Sequence, residues 1–304
     1  MQLVSVVLCS YNGIAFIQSQ LDSLEGQTYK NIEFICSDNN SIDGTDIVLK
    51  NWCAQNPSSR KFISYSEKGL NKNFFNAVQF ATGNYVMFCD QDDIWLPEKI
   101  AMLVSFHEKH NKASMVYCLS QKFQNQIPTR IKKKKIIHLE GTNIKKTMLV
   151  SHTLGHNIMI KNEVLKKIPV PNTEDVAYDW WITVSAMCLG YIACLPEVLT
   201  YWRQHYNNTT TKINEGLYYK SRILYLQSFL TNDLISNENK NWIVKAKNNF
   251  ESLRSKRFSI SMFLFLLKNA KFIFFYKRKK NVFSKWISFT KWAFRMSHKS
   301  FRID

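Results

Sequence analysis

Short apolar runs alternate with longer amphipathic segments through the first 120 residues of the chain. The apolar runs lie at residues 4–8, 32–36, 62–65, 85–89 and 115–119. Runs of this length are typical of strands that are covered on both faces. The segments between them, at 14–25, 45–55, 72–81 and 97–110, predict helices, and Pro97 suits the first turn of the last one. This alternation predicts an α/β domain with a Rossmann-like, mostly parallel sheet flanked by helices.

The second half of the chain is less regular. Residues 157–160 and 199–203 predict two further strands, and residues 178–189 predict a helix. The four consecutive lysines at 132–135 predict a solvated loop.

Polar residues directly follow three of the predicted strands. They are Ser10-Tyr11-Asn12, Asp38-Asn39-Asn40 and the segment 90–93, which reads DQDD. In sheets of this class, ligands bind beyond the carboxyl ends of the strands. The three segments therefore predict one ligand site at a single edge of the sheet.

The segment 90–93 gives the strongest chemical signal. Its three carboxylates, Asp90, Asp92 and Asp93, repel one another unless a cation neutralises them. Mg²⁺ and Mn²⁺ prefer oxygen ligands and bind through carboxylates together with substrate phosphates. A departing diphosphate needs such a cation, because negative charge develops on it. The pattern predicts a site for Mn²⁺ or Mg²⁺; the alternative is a solvated acidic turn before the helix at Pro97.

Composition limits the classes to which the chain can belong. Hydrophobic residues make up 45% of it, which is enough for a core. The longest apolar run near the end, 262–267, is far shorter than the about 20 residues that span a bilayer, so we expect no transmembrane helix. The N-terminal residues lack a basic leader and predict a strand, not a signal peptide. The seven cysteines, an odd number without a CxxC pair, favour free thiols in a reducing cytoplasm and argue against zinc.

The net charge of +18 is concentrated in the C-terminal segment, where residues 251–304 contain 14 Lys and Arg against two acidic residues. A helical projection of 282–294 places one set of side chains on one side: Val282, Phe283, Trp286, Ile287, Phe289, Ala293 and Phe294. Lys285, Lys291 and Arg295 fall on the other side. Such a helix, with Lys277-Arg278-Lys279-Lys280 before it, predicts contact with an anionic membrane surface. The alternative is packing on the first domain or on a second subunit.

Four motifs, in their order and spacing, resemble those of the family 2 glycosyltransferases. They are VVLCSYNG at 6–13, SDNNSIDGT at 37–45, residues 73–83 and DQDDIWLPEKI at 90–100. The string DQDDIW, with Asp179-Trp180-Trp181 and YWRQH at 201–205, is most similar to the bacterial rhamnosyltransferase-like branch. The resemblance covers roughly residues 1–210 and implies the A-type glycosyltransferase fold. It implies a catalytic domain at 1–215, with a nucleotide-binding half at 1–120 and an acceptor-binding half at 121–215. The basic, amphipathic pattern of the C-terminal segment predicts a helical, membrane-associating region at 216–304.

The resemblance also implies roles for individual residues. The nucleotide would be bound by Ser10, Tyr11, Asn12, Asp38, Asn73, Asp90 and Arg203. The metal would be bound by Asp92 as its principal ligand, with Asp90 and His205. Many relatives have a second Asp where this chain has Asn39. From the residues alone, Asp38 also fits an Asx turn and His205 an ordinary histidine.

A catalytic base is implied at Asp179, which begins the predicted helix 178–189 among aromatic residues. Burial in such a pocket raises the pKa of a carboxyl group, which suits a general base. Relatives often have Glu immediately before the base, where this chain has Tyr178. Glu174 and Asp175 are rival candidates, and Asp179 also fits a helix cap.

Together these features predict an inverting glycosyltransferase at the inner face of a bacterial cell membrane. It would extend a lipid-linked saccharide of a surface polysaccharide from a nucleotide-sugar donor. The resemblance favours a deoxythymidine diphosphate (dTDP) rhamnose donor, and a uridine diphosphate (UDP) hexose or N-acetylhexosamine is the alternative. The sequence leaves open whether the protein forms a homo-oligomer. A nucleic-acid-binding protein is disfavoured because no recognised motif occurs, and a nucleotidyltransferase or epimerase because Gly-rich loops are absent.

Overall fold

The structure, a computed structural model, describes residues 1–131, 137–206, 218–276 and 281–301, and of Val282 and Phe283 the backbone only. Three features expected from the sequence lie outside the described residues. They are the lysine loop at 132–135, the boundary at 215–216 and the basic run at 277–280.

One sheet of eight strands organises the described residues. The strands are β1 (Val4–Ser10), β2 (Ile32–Asp38), β3 (Arg60–Ser64), β4 (Tyr85–Asp90), β5 (Ile94–Trp95), β6 (Ala113–Phe123), β7 (Ile158–Lys161) and β8 (Tyr191–Arg203). Their order across the sheet is β3-β2-β1-β4-β7-β6-β8-β5. Only β7 and the short edge strand β5 run antiparallel to their described neighbours. The predicted α/β fold with a mostly parallel sheet is confirmed.

Helices cover the sheet and continue beyond it. They are α1 (Ile17–Glu25), α2 (Thr45–Ala54), α3 (Leu70–Ala77), α4 (Lys99–Lys109), α5 (Asn162–Leu165), α6 (Tyr178–Leu189), α7 (Tyr218–Leu230), α8 (Asn237–Glu251), α9 (Ile260–Lys268), α10 (Ala270–Ile273) and α11 (Val282–Met296). Short 3₁₀ helices lie at Val78–Phe80, Ile144–Lys146 and Gly155–Asn157. Within the described parts of the chain, no helix is long and apolar enough to cross a membrane.

The central strand β1 shows why the apolar runs are continuous. Val6 and Leu8 point into one core, with α1, α2 and α4, whereas Val7 and Cys9 point into the other, with α3 and α6. Both faces are therefore buried, and alternation with polar residues is not required. All seven cysteines carry free thiols, six of them buried.

Two strands are longer than the sequence predicts, and β5 is not predicted at all. Polar residues at 120–122 interrupt the apolar pattern of β6, and Pro196 with Glu197 interrupts that of β8. The two strands pair nonetheless, through irregularities between Tyr117 and Ser120 that accommodate these residues. Helix α1 begins at Ile17 rather than at 14, and the backbone N–H of Ile14 instead donates to Asp43 in the loop after β2 (3.0 Å).

The C-terminal helices share a core with the sheet. Phe229 of α7 stacks on Trp181 of α6, with ring centroids 5.7 Å apart, and Tyr225 packs edge-on against Trp180 at 5.3 Å. The apolar cluster that contains Val7 of β1 extends through these contacts to Phe301. Helix α6 is thus covered by the helix that follows residue 217.

Candidate active site

The loops after β1 and β2 are joined by Asp38. The parallel register places Ser10 beside Asp38 at the ends of the two strands. The Ser10 hydroxyl donates to Asp38 Oδ1 (2.6 Å), and the Ser41 backbone N–H donates to Asp38 Oδ2 (2.8 Å). The bond from Ser41 forms the Asx-type turn that the residues alone had allowed. Asp38 is also buried, so a nucleotide base would have to contact carboxylate oxygens that already accept these bonds.

The loop after β1 is held against the acidic segment by Gln91. The Tyr11 backbone N–H donates to Gln91 Oε1 (2.9 Å), and Gln91 Nε2 donates back to the Tyr11 carbonyl (3.0 Å). A side chain at Gly13 would begin 2.2 Å from Gln91 Oε1, so only glycine leaves room for this pair. The Tyr11 ring is half exposed and available to a ligand.

Asn12 links the same loop to the loop after β2. Asn12 has a left-handed backbone, with a φ of 48°, and its side-chain oxygen accepts from the Ile42 N–H (2.9 Å). Its own N–H donates to the Ser41 hydroxyl (2.8 Å). Asn12 therefore shapes the two loops.

Asn39 and Asn73 are buried and satisfied within the protein. Asn39 Nδ2 donates to the carbonyls of Tyr65 (2.9 Å) and Glu67 (2.7 Å). Asn73 Oδ1 accepts from the Ser37 hydroxyl at 2.5 Å. The structure thus places Asn73 behind β2, where it supports the loop that carries Asp38.

Asp90, Asp93 and His156 form an acidic cluster at the end of β4. His156 Nδ1 lies 2.8 Å from Asp93 Oδ2 and 3.2 Å from Asp90 Oδ2. One ligand atom from each residue lies within 4.8 Å of the others, so the three could hold a metal ion. Burial lowers the pKa of His156, but Asp93 and Asp90 outweigh burial and raise it to about 9. In the absence of a metal, His156 is therefore a cation paired with Asp93.

Asp92 is outside the cluster of Asp90, Asp93 and His156 and contacts His205. The His205 Nε2 atom lies 2.7 Å from Asp92 Oδ2. Burial, with Asp93 and Asp90 nearby, raises the pKa of Asp92 to about 6 although His205 lowers it. Both side chains keep some contact with solvent, at 17% and 19% exposure, whereas the Asp93 side chain has none.

Arg203 binds the acidic segment 90–93 through its side chain and its backbone. Its Nε donates to the Asp92 carbonyl (2.8 Å), and its backbone N–H donates to Asp93 Oδ1 (3.0 Å). Its guanidinium also reaches the Ser19 hydroxyl (3.2 Å) and lies over the ring of Phe16 (5.0 Å). The predicted phosphate contact of Arg203 would have to form beside these bonds.

Lys99 is a fully buried cation beneath the cluster. Its Nζ donates to the His156 carbonyl (2.5 Å) and to the Thr200 hydroxyl (2.7 Å), and lies 3.4 Å from the centre of the Trp95 ring. Burial lowers the pKa of Lys99 to about 8, partly opposed by Cys118, Cys89 and Asp93. The side chain therefore places positive charge near Asp93 and Asp90, which oppose the fall in its pKa.

Asp179 lies in the first turn of α6, next to the acidic cluster. Its Oδ2 accepts from the Gly155 N–H (3.1 Å), and its Oδ1 accepts from the Trp180 N–H (2.7 Å). Burial raises the pKa of Asp179 to about 6; the bond from Trp180 opposes this and Asp90 adds to it. The shift has the direction that a general base requires.

The two rival carboxylates are engaged elsewhere. Glu174 accepts from the N–H groups of Asn71 (3.0 Å) and Lys72 (3.2 Å) and so caps the start of α3. Asp175 is exposed and accepts from the Thr173 hydroxyl (2.6 Å). This geometry favours Asp179 among the three candidates.

Tyr178, where relatives often have Glu, is buried and stacks on Phe74 at 4.0 Å. Its hydroxyl would lie only 1.8 Å from a β-carbon at Gly155, so the ring fills the space against this loop. The phenol therefore supports the turn that carries Asp179.

Sequence reasoning counted Asp93 among the three carboxylates that predict a cation site, but it gave Asp93 no partner, left the role of His156 open and did not assign Lys99 to the site. The pairing of Asp93 with His156 joins residues 63 positions apart, and Lys99 reads in the sequence as the start of an amphipathic helix. The only indication of Asp93 in the sequence was its position in the segment DQDD. Its contacts with His156 and Arg203 could be identified only from the folded structure.

The chain was compared with known proteins. The family model described as "Glycosyl transferase family 2" matches residues 5–169, more than half of the chain. An uncharacterized protein of Mycobacterium tuberculosis is 25% identical over 218 residues, which cover 66% of this chain and 59% of that protein. The chain thus spans less than two thirds of that relative. The Escherichia coli UDP-Glc:alpha-D-GlcNAc-diphosphoundecaprenol beta-1,3-glucosyltransferase WfaP is 32% identical over 120 residues, 36% of this chain and 42% of that protein.

Two solved structures share the fold. S. aureus TarS 1-349 in complex with UDP-GlcNAc superimposes with a TM-score of 0.62 at 19% identity, covering 89% of this chain and 81% of TarS. The mannosyltransferase PcManGT from Pyrobaculum calidifontis, in complex with GDP-Man and Mn²⁺, gives a TM-score of 0.55 at 16% identity, covering 96% and 74%. Both show the fold of this chain, which is that of A-type glycosyltransferases.

Proposed function

This chain belongs to glycosyl transferase family 2, and from that premise we propose that it is a metal-dependent, inverting enzyme that transfers a hexose from a nucleoside diphosphate to a lipid-linked saccharide. One observation carries the proposal. Partly exposed carboxylates at the end of β4 lie beside Asp179, whose pKa is raised to about 6 by burial and by Asp90. A cation-binding group and a base thus meet at one edge of the sheet.

The cation would be held by Asp92 and His205, together with Asp90. A cation that also binds a diphosphate needs ligands that substrate can reach. These three side chains keep 17%, 19% and 35% exposure, whereas Asp93 and His156 are sealed at 0% and 2%. Oxygen and imidazole donors suit Mn²⁺, and oxygen donors suit Mg²⁺. The bound ion would supply charge to stabilise the leaving diphosphate.

The residues of the protein would remove the acceptor proton and position the substrates. Asp179 would take the proton of the acceptor hydroxyl, which then attacks the sugar carbon from the face opposite the diphosphate. The two backbone N–H groups that bind Asp179 would hold its carboxylate in position. Tyr11, with its half-exposed ring, and the turn around Asp38 would form the nucleoside side of the site.

Two donors are candidates. The similarity to the E. coli glucosyltransferase, whose name specifies UDP-Glc, supports a UDP-hexose. The motif DQDDIW supports dTDP-rhamnose through its resemblance to the rhamnosyltransferase-like branch. We favour the UDP-hexose, because the name of a similar protein specifies a donor of this class.

The same relative supports a proposal for the acceptor, and the location is proposed from that acceptor. Its name specifies a diphosphoundecaprenol-linked sugar as acceptor. We propose a lipid-linked acceptor of this class for a surface polysaccharide, with the enzyme peripheral on the inner face of the cell membrane. Residues 1–215 would carry catalysis, with the nucleotide bound by 1–120, and residues 216–304 would support α6 and approach the membrane.

A donor-binding panel tests this function. Thermal shift and calorimetry with UDP-glucose, UDP-N-acetylglucosamine, UDP-galactose and dTDP-rhamnose, with and without Mn²⁺, should show one donor that binds only with metal. Asp92→Asn should weaken that binding by about 10- to 100-fold, because a ligand of the cation is lost. A panel in which no nucleotide sugar stabilises the protein at millimolar Mn²⁺ would overturn the proposal.

Asp93→Asn is the matched control. It should leave metal-dependent donor binding nearly intact but lower the free energy of unfolding by about 3 kcal/mol, because the buried His156 cation loses its partner. The raised pKa of His156 stabilises the fold fully below about pH 6.5, and this contribution is lost as pH rises through about 9. Loss of donor binding in Asp93→Asn, with binding retained in Asp92→Asn, would instead assign the cation to Asp90, Asp93 and His156.

A further inference from the structure

Helix α9 presents an apolar side to solvent. Ile260 and Leu264, one turn apart, are 68% and 58% exposed. Met262 and Leu266, on the opposite side, are buried. The exposed side of α9 therefore presents Ile260 and Leu264 between two polar residues, Ser261 and Lys268, so that large apolar side chains face solvent beside a cation.

The apolar face of α11 is divided between the protein and solvent. Ala293 and Met296 are buried, and Phe289 packs against Phe274 at 5.7 Å. The other part is exposed: Trp286 at 61%, Ile287 at 47% and Phe294 at 51%. The sequence predicted a single apolar side, and the structure shows that one edge of it packs inward while the other edge remains open.

The exposed sides of the two helices adjoin. Phe294 of α11 lies 6.3 Å from Phe263 of α9, and both approach Phe258. Trp286 and Ile287 lie on the same side of α11 as Phe294, eight and seven residues away. We call the set Ile260, Leu264, Trp286, Ile287 and Phe294 the apolar platform. Single exposed apolar residues are common, but five large ones on two adjoining helices mark an interaction surface.

Basic residues predominate in the part of the chain that carries the platform. Between residue 251 and residue 301 the described residues include one acidic side chain, Glu251, and nine basic ones: Arg254, Lys256, Arg257, Lys268, Lys271, Lys285, Lys291, Arg295 and Lys299. The ion pairs of the C-terminal helices, within the described ranges, are Lys145–Glu238, Lys240–Asp233 and Lys247–Glu251. Within those ranges, then, none of the nine is neutralised by a carboxylate.

We propose that the apolar platform docks on the surface of an anionic lipid bilayer, with Trp286, Ile287, Phe294, Ile260 and Leu264 entering the headgroup region and the basic residues facing lipid phosphates. Aromatic and aliphatic side chains above a basic rim are the chemistry of interfacial helices. The inference rests on the proposed function in one respect: a lipid-linked acceptor would be located at the membrane on which the platform docks.

Charge argues against a second copy of the chain as the occupant. A symmetric dimer through the platform would bring two sets of nine uncompensated cations together, in a chain of net charge +18. An anionic bilayer neutralises the same charges. Nucleic acid would also neutralise them but offers no apolar phase for Ile260 and Leu264.

Vesicle flotation of the full chain tests the docking. The protein should float with phosphatidylcholine vesicles that contain phosphatidylglycerol, and much less with phosphatidylcholine alone. Leu264→Glu should lower the partition coefficient at least about tenfold, because an apolar side chain leaves the bilayer and an anion replaces it. Ile47→Glu, at a residue of α2 that is 59% exposed, makes the same change at a matched exposure and should float like the unchanged protein.

The role of charge has its own variant. Lys268→Gln with Lys291→Gln should weaken partition by about fivefold for each lysine at low salt, and by less at high salt. Lys166→Gln with Lys167→Gln, exposed lysines after α5, provide the control.

The outcomes separate this inference from the proposed function. Donor affinity, measured without acceptor or lipid, should be unchanged in Leu264→Glu. Donor binding without flotation would overturn the docking and leave the function standing, whereas flotation without donor binding would do the reverse. Equal flotation of Leu264→Glu and Ile47→Glu, a platform-dependent dimer seen by analytical ultracentrifugation without lipid binding, or tighter binding to DNA than to vesicles would each overturn the docking.

Discussion

Asp179 receives hydrogen bonds from two backbone N–H groups and is nevertheless raised in pKa, because burial and Asp90 outweigh those bonds. A carboxyl group with a pKa of about 6 is largely unprotonated at pH 7, yet is a stronger base than an exposed one. This balance is what proton removal from a hydroxyl requires.

At this scale we predict that Asp179→Asn lowers kcat by about 10²- to 10⁴-fold while the donor dissociation constant changes less than about twofold. In the unchanged enzyme kcat should rise with pH through about 6 and then level, because the base must lose its proton before it can act. Initial rates across pH and donor titrations by calorimetry measure both effects.

Asp175→Asn is the control for this prediction. Asp175 is exposed, lies four residues from Asp179 and bonds only within its own turn, to Thr173. It should keep the rate of the unchanged enzyme. Near-normal turnover by Asp179→Asn, or a collapse of turnover in Asp175→Asn, would show that the base is misassigned.

At the scale of elements, the side-chain amide of Asn39 connects the loop after β2 to the loop before α3. Asn39 donates to two carbonyls, of Tyr65 and Glu67, and accepts from the Gly69 N–H (3.2 Å). An Asp, which many relatives have here, cannot donate to either carbonyl. The sequence difference at this position therefore concerns how two loops are joined.

We predict that Asn39→Asp lowers the free energy of unfolding by about 1–3 kcal/mol, because the carbonyls of Tyr65 and Glu67 lose their donor and face a carboxylate on a buried side chain. Urea denaturation measures the loss. Asn40→Asp is the neighbouring control: Asn40 is exposed, makes one long bond to the Ser66 carbonyl (3.4 Å), and its left-handed backbone tolerates Asp. Equal stability of the two variants would contradict this account.

The sequence predicted those features whose signal is local. The apolar runs at 4–8, 32–36 and 85–89 correspond to β1, β2 and β4, and the polar residues that end them converge because parallel strands share an edge. Long-range partners could not be predicted. Nothing near His156 in the chain indicates Asp93, and nothing near Lys99 indicates Thr200, because these pairs exist only once the sheet brings distant strands together.

At the scale of the whole molecule, internal cations balance the acidic segment. His156 pairs with Asp93, and Lys99 lies beneath both. Metal removal should therefore leave the fold intact: EDTA, without donor, should shift the unfolding midpoint by less than about 3 °C, or under about 1 kcal/mol. Differential scanning calorimetry of the EDTA-treated and Mn²⁺-loaded protein measures this shift.

Lys99→Met provides the contrast. Without the buried ammonium the carboxylates keep only His156 as a buried counter-charge, so the variant should melt earlier and regain part of the loss when Mn²⁺ is added. A large fall in the midpoint of the unchanged protein on chelation would show that the metal, not Lys99 and His156, keeps the acidic segment in place.

The buried lysine has a consequence for the working life of the enzyme. A protein whose fold needs its ion is degraded or aggregates when that ion is scarce. With Lys99 in place, we expect the protein to stay folded without the ion and to regain activity when the ion returns. Under the proposed function, the supply of a divalent cation would then control sugar transfer reversibly, without new synthesis of the protein.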